Sequence, residues 1–197
     1  SGLSRPELLG RVIAVNVGQW ASEFAGVILQ SPAGSSVYAS TGFSCSVTCG
    51  RVSFVLGLHG PCVSHDTACS ASLVAQHSST RALQRFECKR AVSAGVNMLL
   101  DPMTMRGNAI AGFTSVAGRS HTFDARADGY ARGEAIDVIA SQLHQGDAGA
   151  AVEVKGSAVR QDGRSASLTA PSGQAQQGVL SASLTDASLA ADDMAAL

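Results

Sequence analysis

Three short runs, RVIAVNVG (11–18), PCVSHDTA (61–68) and RAVSAGVNMLL (90–100), are separated by stretches long and periodic enough to be helices. This alternation constrains the fold most, because strands joined through helices come out parallel and buried on both faces. The first run, β-branched and closed by Gly18, reads as a buried strand. Residues 43–58 place Phe43, Val47, Val52, Phe54 and Val55 near helical spacing, which predicts a helix despite its β-branched content. A strand over 61–68 then runs directly into a helix over 69–86. Leu73, Ala75, Ala82 and Leu83 supply that helix's expected apolar face, and Arg85 lies near its C-terminal end, where the dipole favours a cation. Residues 31–36, with Pro32 and Gly34, read as a loop.

Further along, 90–100 is a strand, 102–113 a short helix opened by Pro102, and 133–143 and 150–162 two strands in succession. The final helix spans 171–189, with Val179, Leu180 and Leu184 on one face. That order predicts an α/β layered domain with a mostly parallel, mixed sheet and one antiparallel addition. With 197 residues, 45% apolar and 15% charged, the chain can bury a core as one domain or as part of a larger one. Balanced charge (14 Lys and Arg against 15 Asp and Glu) and 5% aromatic content argue against a nucleic-acid partner. No window approaches ~18 uninterrupted apolar residues, so no membrane span is expected. Five scattered cysteines among apolar residues fit reduced thiols in a cytosol-like compartment. The opening at Ser1 and the closing DDMAAL both read as cuts.

Within VSHDTACSASLVAQ (63–76), Cys69 stands where the strand is expected to turn into the helix. A first helical residue lies at the positive end of the dipole, beside backbone N–H groups without an intrahelical partner. A thiol with an ordinary pKa of roughly 8.5 is lowered in such a place, and each unit corresponds to about 1.4 kcal/mol. The same N–H groups suit an oxyanion, so the arrangement fits acyl transfer. A small buried hydrophobe is the other reading of such a cysteine. Zinc is disfavoured, because Cys45 and Cys49 are four apart, no C-x-x-C occurs, and the histidines have no ligand spacing to them.

DTACSAS (66–72) resembles the active-site stretch of β-ketoacyl synthases, DTACSSS in its usual form. RALQRFECKRAVSAGVNMLLDP (81–102) is similar to the segment that follows the nucleophile helix. HTFDARADGYARGEA (121–135) and GSAVRQDGRSASLTAPSGQAQ (156–176) resemble two later blocks, most like those of type I polyketide synthases. The resemblance is clear over 36–190 and loose over 1–35. It implies a thiolase-like layered α/β fold, of which residues 1–197 would be the N-terminal half of a ketosynthase domain, without the first strand and the C-terminal half. It further implies that Cys69 accepts an acyl chain as a thioester from the phosphopantetheine of an acyl carrier protein. A malonyl extender would then be decarboxylated and condensed onto it, with no cofactor bound directly. Acyl and malonyl thioesters, a carrier protein, and a homodimer or larger assembly are the partners implied, in the cytoplasm or a plastid.

The family's two catalytic histidines lie in HGTGT-type and NIGH-type motifs, and neither occurs here. His59, His65, His77, His121 and His144 match no catalytic position and read as structural or surface residues. Asp66 and Thr67 are expected to fix the turn through side-chain to backbone hydrogen bonds. Arg132 and Glu134 are expected to form a structural bridge, and GRSASLTAPSG (163–173) lacks the spacing of a phosphate cradle. Departures from the family pattern are Ala71 for Ser, Gly50 and Arg160 for Asn, and Ala135 for Gly. A polyketide or fatty-acid condensing enzyme is the leading expectation, and a truncated, non-catalytic synthase relic acting as a structural subunit is the alternative.

Overall fold

A computed structural model describes residues 3–20, 22–143 and 152–194. The chain forms two compact units, Ser1–Leu143 and His144–Leu197.

The first unit is built on a four-stranded sheet of β1 (Ile13–Gln19), β2 (Cys62–His65), β3 (Arg90–Asn97) and β4 (Ala135–Gln142), in the spatial order β2-β1-β3-β4. The strands β2 and β3 run parallel to β1, and β4 is antiparallel to β3. The mostly parallel sheet with one antiparallel addition is therefore present. Helices α1 (Arg5–Leu8), α2 (Glu23–Leu29), α3 (Ala39–Gly42), α4 (Cys45–Leu56), α5 (Ala71–Gln84) and α6 (Pro102–Ile110) complete the unit. The short α1, α2 and α3 were not foreseen, and the loop predicted at 31–36 contains a 3₁₀ turn, Pro32–Ser35.

The central strand β1 explains the packing. Its residues 13–18 are all buried, as a parallel strand covered on both faces requires. Ile13, Val15 and Val17 pack with Cys49 and Leu58 on the α4 side. Ala14 packs with Ala82, Leu83, Cys88 and Ala91 on the α5 side. Gly57, at φ +66°, ends α4 in the left-handed conformation, and Leu58 N–H returns to Ser53 O at 2.9 Å, the C-terminal pattern that glycine permits.

Side-chain expectations fail at three positions on these helices, Val55 of α4 among them at 54% exposed. Leu73 is 74% exposed and Phe54 87% exposed. The face α5 turns to the sheet is Ala71, Ala75, Ser79, Ala82 and Leu83, a row at helical spacing that Leu73 falls outside. Small residues dominate it because the helix lies very close to the sheet.

The second unit contains α7 (Gly173–Ala187), opened by Ser172, whose hydroxyl accepts from Ala175 N–H at 3.2 Å. The strand predicted over 150–162 is not found. Residues 152–162 are irregular, while 150 and 151 lie outside the described residues. Among the described residues this segment pairs with no strand. It is held against α7 instead, with Ser157 N–H donating to Asp186 Oδ2 at 2.9 Å.

Candidate active site

The turn between β2 and α5 is where sequence and geometry converge. The predicted strand over 61–68 stops at His65, and the α-helix predicted from Cys69 begins at Ala71. Residues Ala68–Ser70 form a separate 3₁₀ turn between them. Cys69 is thus the middle residue of this turn, two positions before α5, and not the first residue of the helix. The correction has a visible cause. Ala68 has φ +54°, a left-handed conformation that interrupts helical propagation and is costly for a residue with a Cβ. Strain of this kind persists only where the surroundings enforce it.

The enforcement is local and from below. Asp66 Oδ1 accepts from Ala68 N–H at 3.3 Å, and Ser70 Oγ donates to Thr67 O at 2.9 Å, so the side chains of Asp66 and Ser70 brace the turn. Thr67 Oγ1 also accepts from Ser70 Oγ at 2.9 Å. Beneath the turn, Gly18 of β1 and Gly95 of β3 are paired in register. A Cβ at Gly18 would lie 2.4 Å from Ala71 C, and one at Gly95 would lie 2.8 Å from Ser72 Cβ. Two adjacent glycines therefore let the first turn of α5 rest directly on the sheet, with Cys69 raised on the outside. Its side chain is exposed. It lines neither of two cavities found among the described residues, one of about 570 Å³ between Arg160 and Pro171 and one of about 270 Å³ around Asn16, Val63 and Arg81.

The remaining cysteines differ from it. Cys49 and Cys88 are buried, Cys45 is half-buried and Cys62 is exposed. Burial pushes the Cys88 thiol up. Burial, then the nearby Asp66 carboxylate, does the same for Cys45. Cys62 is raised by burial of its sulfur and by the neighbouring Cys49, although Ser53 Oγ donates to its Sγ at 3.3 Å. Among the described residues no three His, Cys, Asp or Glu side chains converge where a metal could sit.

His65, at the end of β2, places Nε2 3.1 Å from Asn16 Oδ1, and burial pushes its imidazole below the ordinary value. His59 is exposed, His77 and His121 are partly buried, and His144 lies outside the described residues.

The expected bridge between Arg132 and Glu134 is not formed. Arg132 Nη2 meets Glu23 Oε1 of α2 at 2.6 Å, with side chains 4% and 5% exposed, while Glu134 Oε1 accepts from Leu99 N–H at 2.8 Å. Glu23 Oε2 also accepts from Leu100 and Asp101 N–H at 2.7 and 2.8 Å. Burial opposes the Glu23 charge, but the Arg132 hydrogen bond and the two amides outweigh it and hold the carboxyl below its usual range. Nothing in the local sequence singles out Glu23, because its partner lies 109 residues away.

Comparison with known proteins agrees with this architecture. The family model "Beta-ketoacyl synthase, N-terminal domain" matches residues 1–145, and "Beta-ketoacyl synthase, C-terminal domain" matches 151–197. Highly reducing polyketide synthase 40 of Fusarium pseudograminearum is 38% identical over 139 residues, 71% of this chain and 5% of that protein. A phenolphthiocerol/phthiocerol polyketide synthase of Mycobacterium tuberculosis is 40% identical over 139 residues, 71% of this chain and 9% of that protein. A ketosynthase from module 6 of the Bacillus subtilis bacillaene synthase superposes with a TM-score of 0.81 at 28% identity, over 95% of this chain and 32% of that one. The chain thus spans under a tenth of these two curated relatives and about a third of the solved ketosynthase. The boundary between the two family matches falls where the chain divides into its two compact units. With the thiolase-like layered sheet and the N-terminal family match over most of its length, the chain belongs to the β-ketoacyl synthase family.

Proposed function

We propose that this chain supplies the acyl-accepting half of a decarboxylative condensation in polyketide or fatty-acid synthesis, and that Cys69 is the acceptor. The observation that carries the reading is the exposed Cys69 sulfur in a strained turn immediately before the N-terminus of α5. In the step assigned to it, the Cys69 thiolate attacks the carbonyl carbon of an acyl thioester. The backbone N–H of Cys69 itself is the donor assigned to the oxyanion that forms. The carbon–sulfur bond to the phosphopantetheine arm then breaks, and the departing thiolate takes up a proton.

Completion of the reaction requires two histidines from HGTGT-type and NIGH-type motifs, which the 197 residues do not contain. The contribution of this chain is therefore acyl transfer onto sulfur, and a malonyl extender would be decarboxylated by groups outside it. Residues 1–197 are read as part of one ketosynthase domain, served by an acyl carrier protein and assembled as a homodimer or larger complex in the cytoplasm or a plastid. No described helix is long and apolar enough to cross a membrane.

The test is acylation of the full chain by an acyl-pantetheine thioester, followed by intact mass and peptide mapping. One acyl group on Cys69, absent in Cys69→Ala, supports the reading. No adduct, or equal slow modification of all five thiols by iodoacetamide, overturns it and favours a non-catalytic relic.

A further inference from the structure

The most unusual feature of the sheet is a polar side chain in the middle of its most buried strand. Asn16 is 2% exposed, and its Nδ2 donates to Ser79 Oγ of α5 at 2.9 Å. Ser93 Oγ of β3 donates to the same oxygen at 2.8 Å. Since Nδ2 is committed to Ser79, Asn16 Oδ1 is the acceptor facing His65, and His65 Nε2 carries the proton between them, 3.1 Å apart. The Asn16 amide thus joins β1 to β2 and α5, and the Ser79 oxygen adds β3.

The placement matters because His65 and Ser79 lie on opposite sides of Cys69 in sequence. His65 ends the strand that enters the turn, and Ser79 lies two turns into the helix that leaves it. The face α5 presents to the sheet is largely alanine, which allows close approach but leaves Leu83, near the far end of the helix, as its one large side chain to interlock. Apolar contact of that kind is non-directional and resists sliding along the helix axis poorly. Directed hydrogen bonds in a dry environment do resist it. Two residues further along β1, Gly18 supports the helix start itself.

We infer that Asn16 is a positioning residue for Cys69, holding the strand before it and the helix after it in one register against β1 through His65 and Ser79. The inference rests on the reading of Cys69 as the acyl acceptor for its functional meaning, but its geometric content stands apart from that reading. Asn16 touches no reacting atom. Its role is to keep the 66–70 turn where the sulfur and the backbone N–H of Cys69 address the same carbonyl.

Asn16→Leu keeps the number and branching of heavy atoms and removes both bonds, and Asn16→Asp keeps an acceptor for His65 and for the Ser79 hydroxyl. Two rates are read on the full chain: acylation of Cys69 by an acyl-pantetheine thioester and alkylation of Cys69 by iodoacetamide, with Cys62 alkylation and the thermal midpoint as internal controls. Asn16→Leu is expected to slow both Cys69 rates about tenfold with Cys62 unchanged, a loss in keeping with a sub-ångström misplacement, and Asn16→Asp to recover most of it. Should Asn16→Leu fail to fold, His65→Phe, at a half-buried position, severs the same arm and is expected to slow Cys69 likewise. Wild-type Cys69 rates in whichever of these variants folds overturn the inference. Alkylation of Cys69 slowed by Asn16→Leu in a chain that never acylates supports the positioning role and sinks the acyl-transfer reading, whereas normal acylation in Asn16→Leu does the reverse.

Discussion

Gly18→Ala isolates the contact that seats the nucleophile turn. Gly18 lies in regular β1 without a left-handed φ, so alanine suits the backbone and the substitution tests space alone. The new Cβ would stand 2.4 Å from Ala71 C and O and 2.5 Å from Ser72 N, about 1 Å inside ordinary contact distance. These are backbone atoms of a packed helix, so no side chain can swing away. Overpacking of this kind costs about 1–3 kcal/mol. Loss of unfolded-state freedom on replacing glycine returns about 0.4–1 kcal/mol. The net expectation is destabilisation by about 0–2.6 kcal/mol, centred on about 1.3 kcal/mol, read by urea unfolding with an unchanged denaturant slope, together with slower alkylation of Cys69. Gly50→Ala is the matched control, because its Cβ meets nothing within 4 Å in the interior of α4. It should stabilise by about 0.5–1 kcal/mol. If Gly18→Ala behaves like Gly50→Ala and Cys69 reacts at its original rate, the close seating of α5 does not govern the turn.

Arg132→Met leaves the Glu23 carboxylate buried without its cation and should cost about 3–5 kcal/mol in chemical unfolding, with much of the loss recovered when Glu23→Gln is added. Because the folded-state pKa of Glu23 is depressed, its stabilisation is complete above the unfolded value and fades as pH falls through the folded one. Acid titration of unfolding stability should show that limb below about pH 4.5, and Glu23→Gln should abolish it. His65 has the opposite chemistry but the same sign. Burial lowers its pKa, so below about pH 6.5 the unfolded chain binds the extra proton and stability falls with pH, a slope that His65→Phe should remove from the pH dependence of the melting midpoint.

The local elements were readable because their causes are local. The β-branched run over 11–18 marked β1, which continues one residue past Gly18, Pro102 opened α6, and the run of helical spacing over 43–58 marked α4. The 3₁₀ turn at Ala68–Ser70 escaped because it depends on a left-handed alanine, which no propensity anticipates. The strand expected over 150–162 is absent over the described 152–162 for the opposite reason, since β-branched residues form a strand only when a neighbour supplies the hydrogen bonds. Leu73 was misassigned for a related reason: the small residues beside it, rather than the large one, meet the sheet.

By itself, the order of apolar runs and turn residues determined the alternation of strands and helices, and DTACSAS singled out Cys69. Only the tertiary structure decided what surrounds that sulfur. The long-range contacts of this unit, Asn16 with His65 and Ser79, Gly18 with Ala71, and Glu23 with Arg132, join residues 49 to 109 positions apart. Period and propensity act over a few residues, whereas closing a long loop to form one buried bond depends on everything that folds around it.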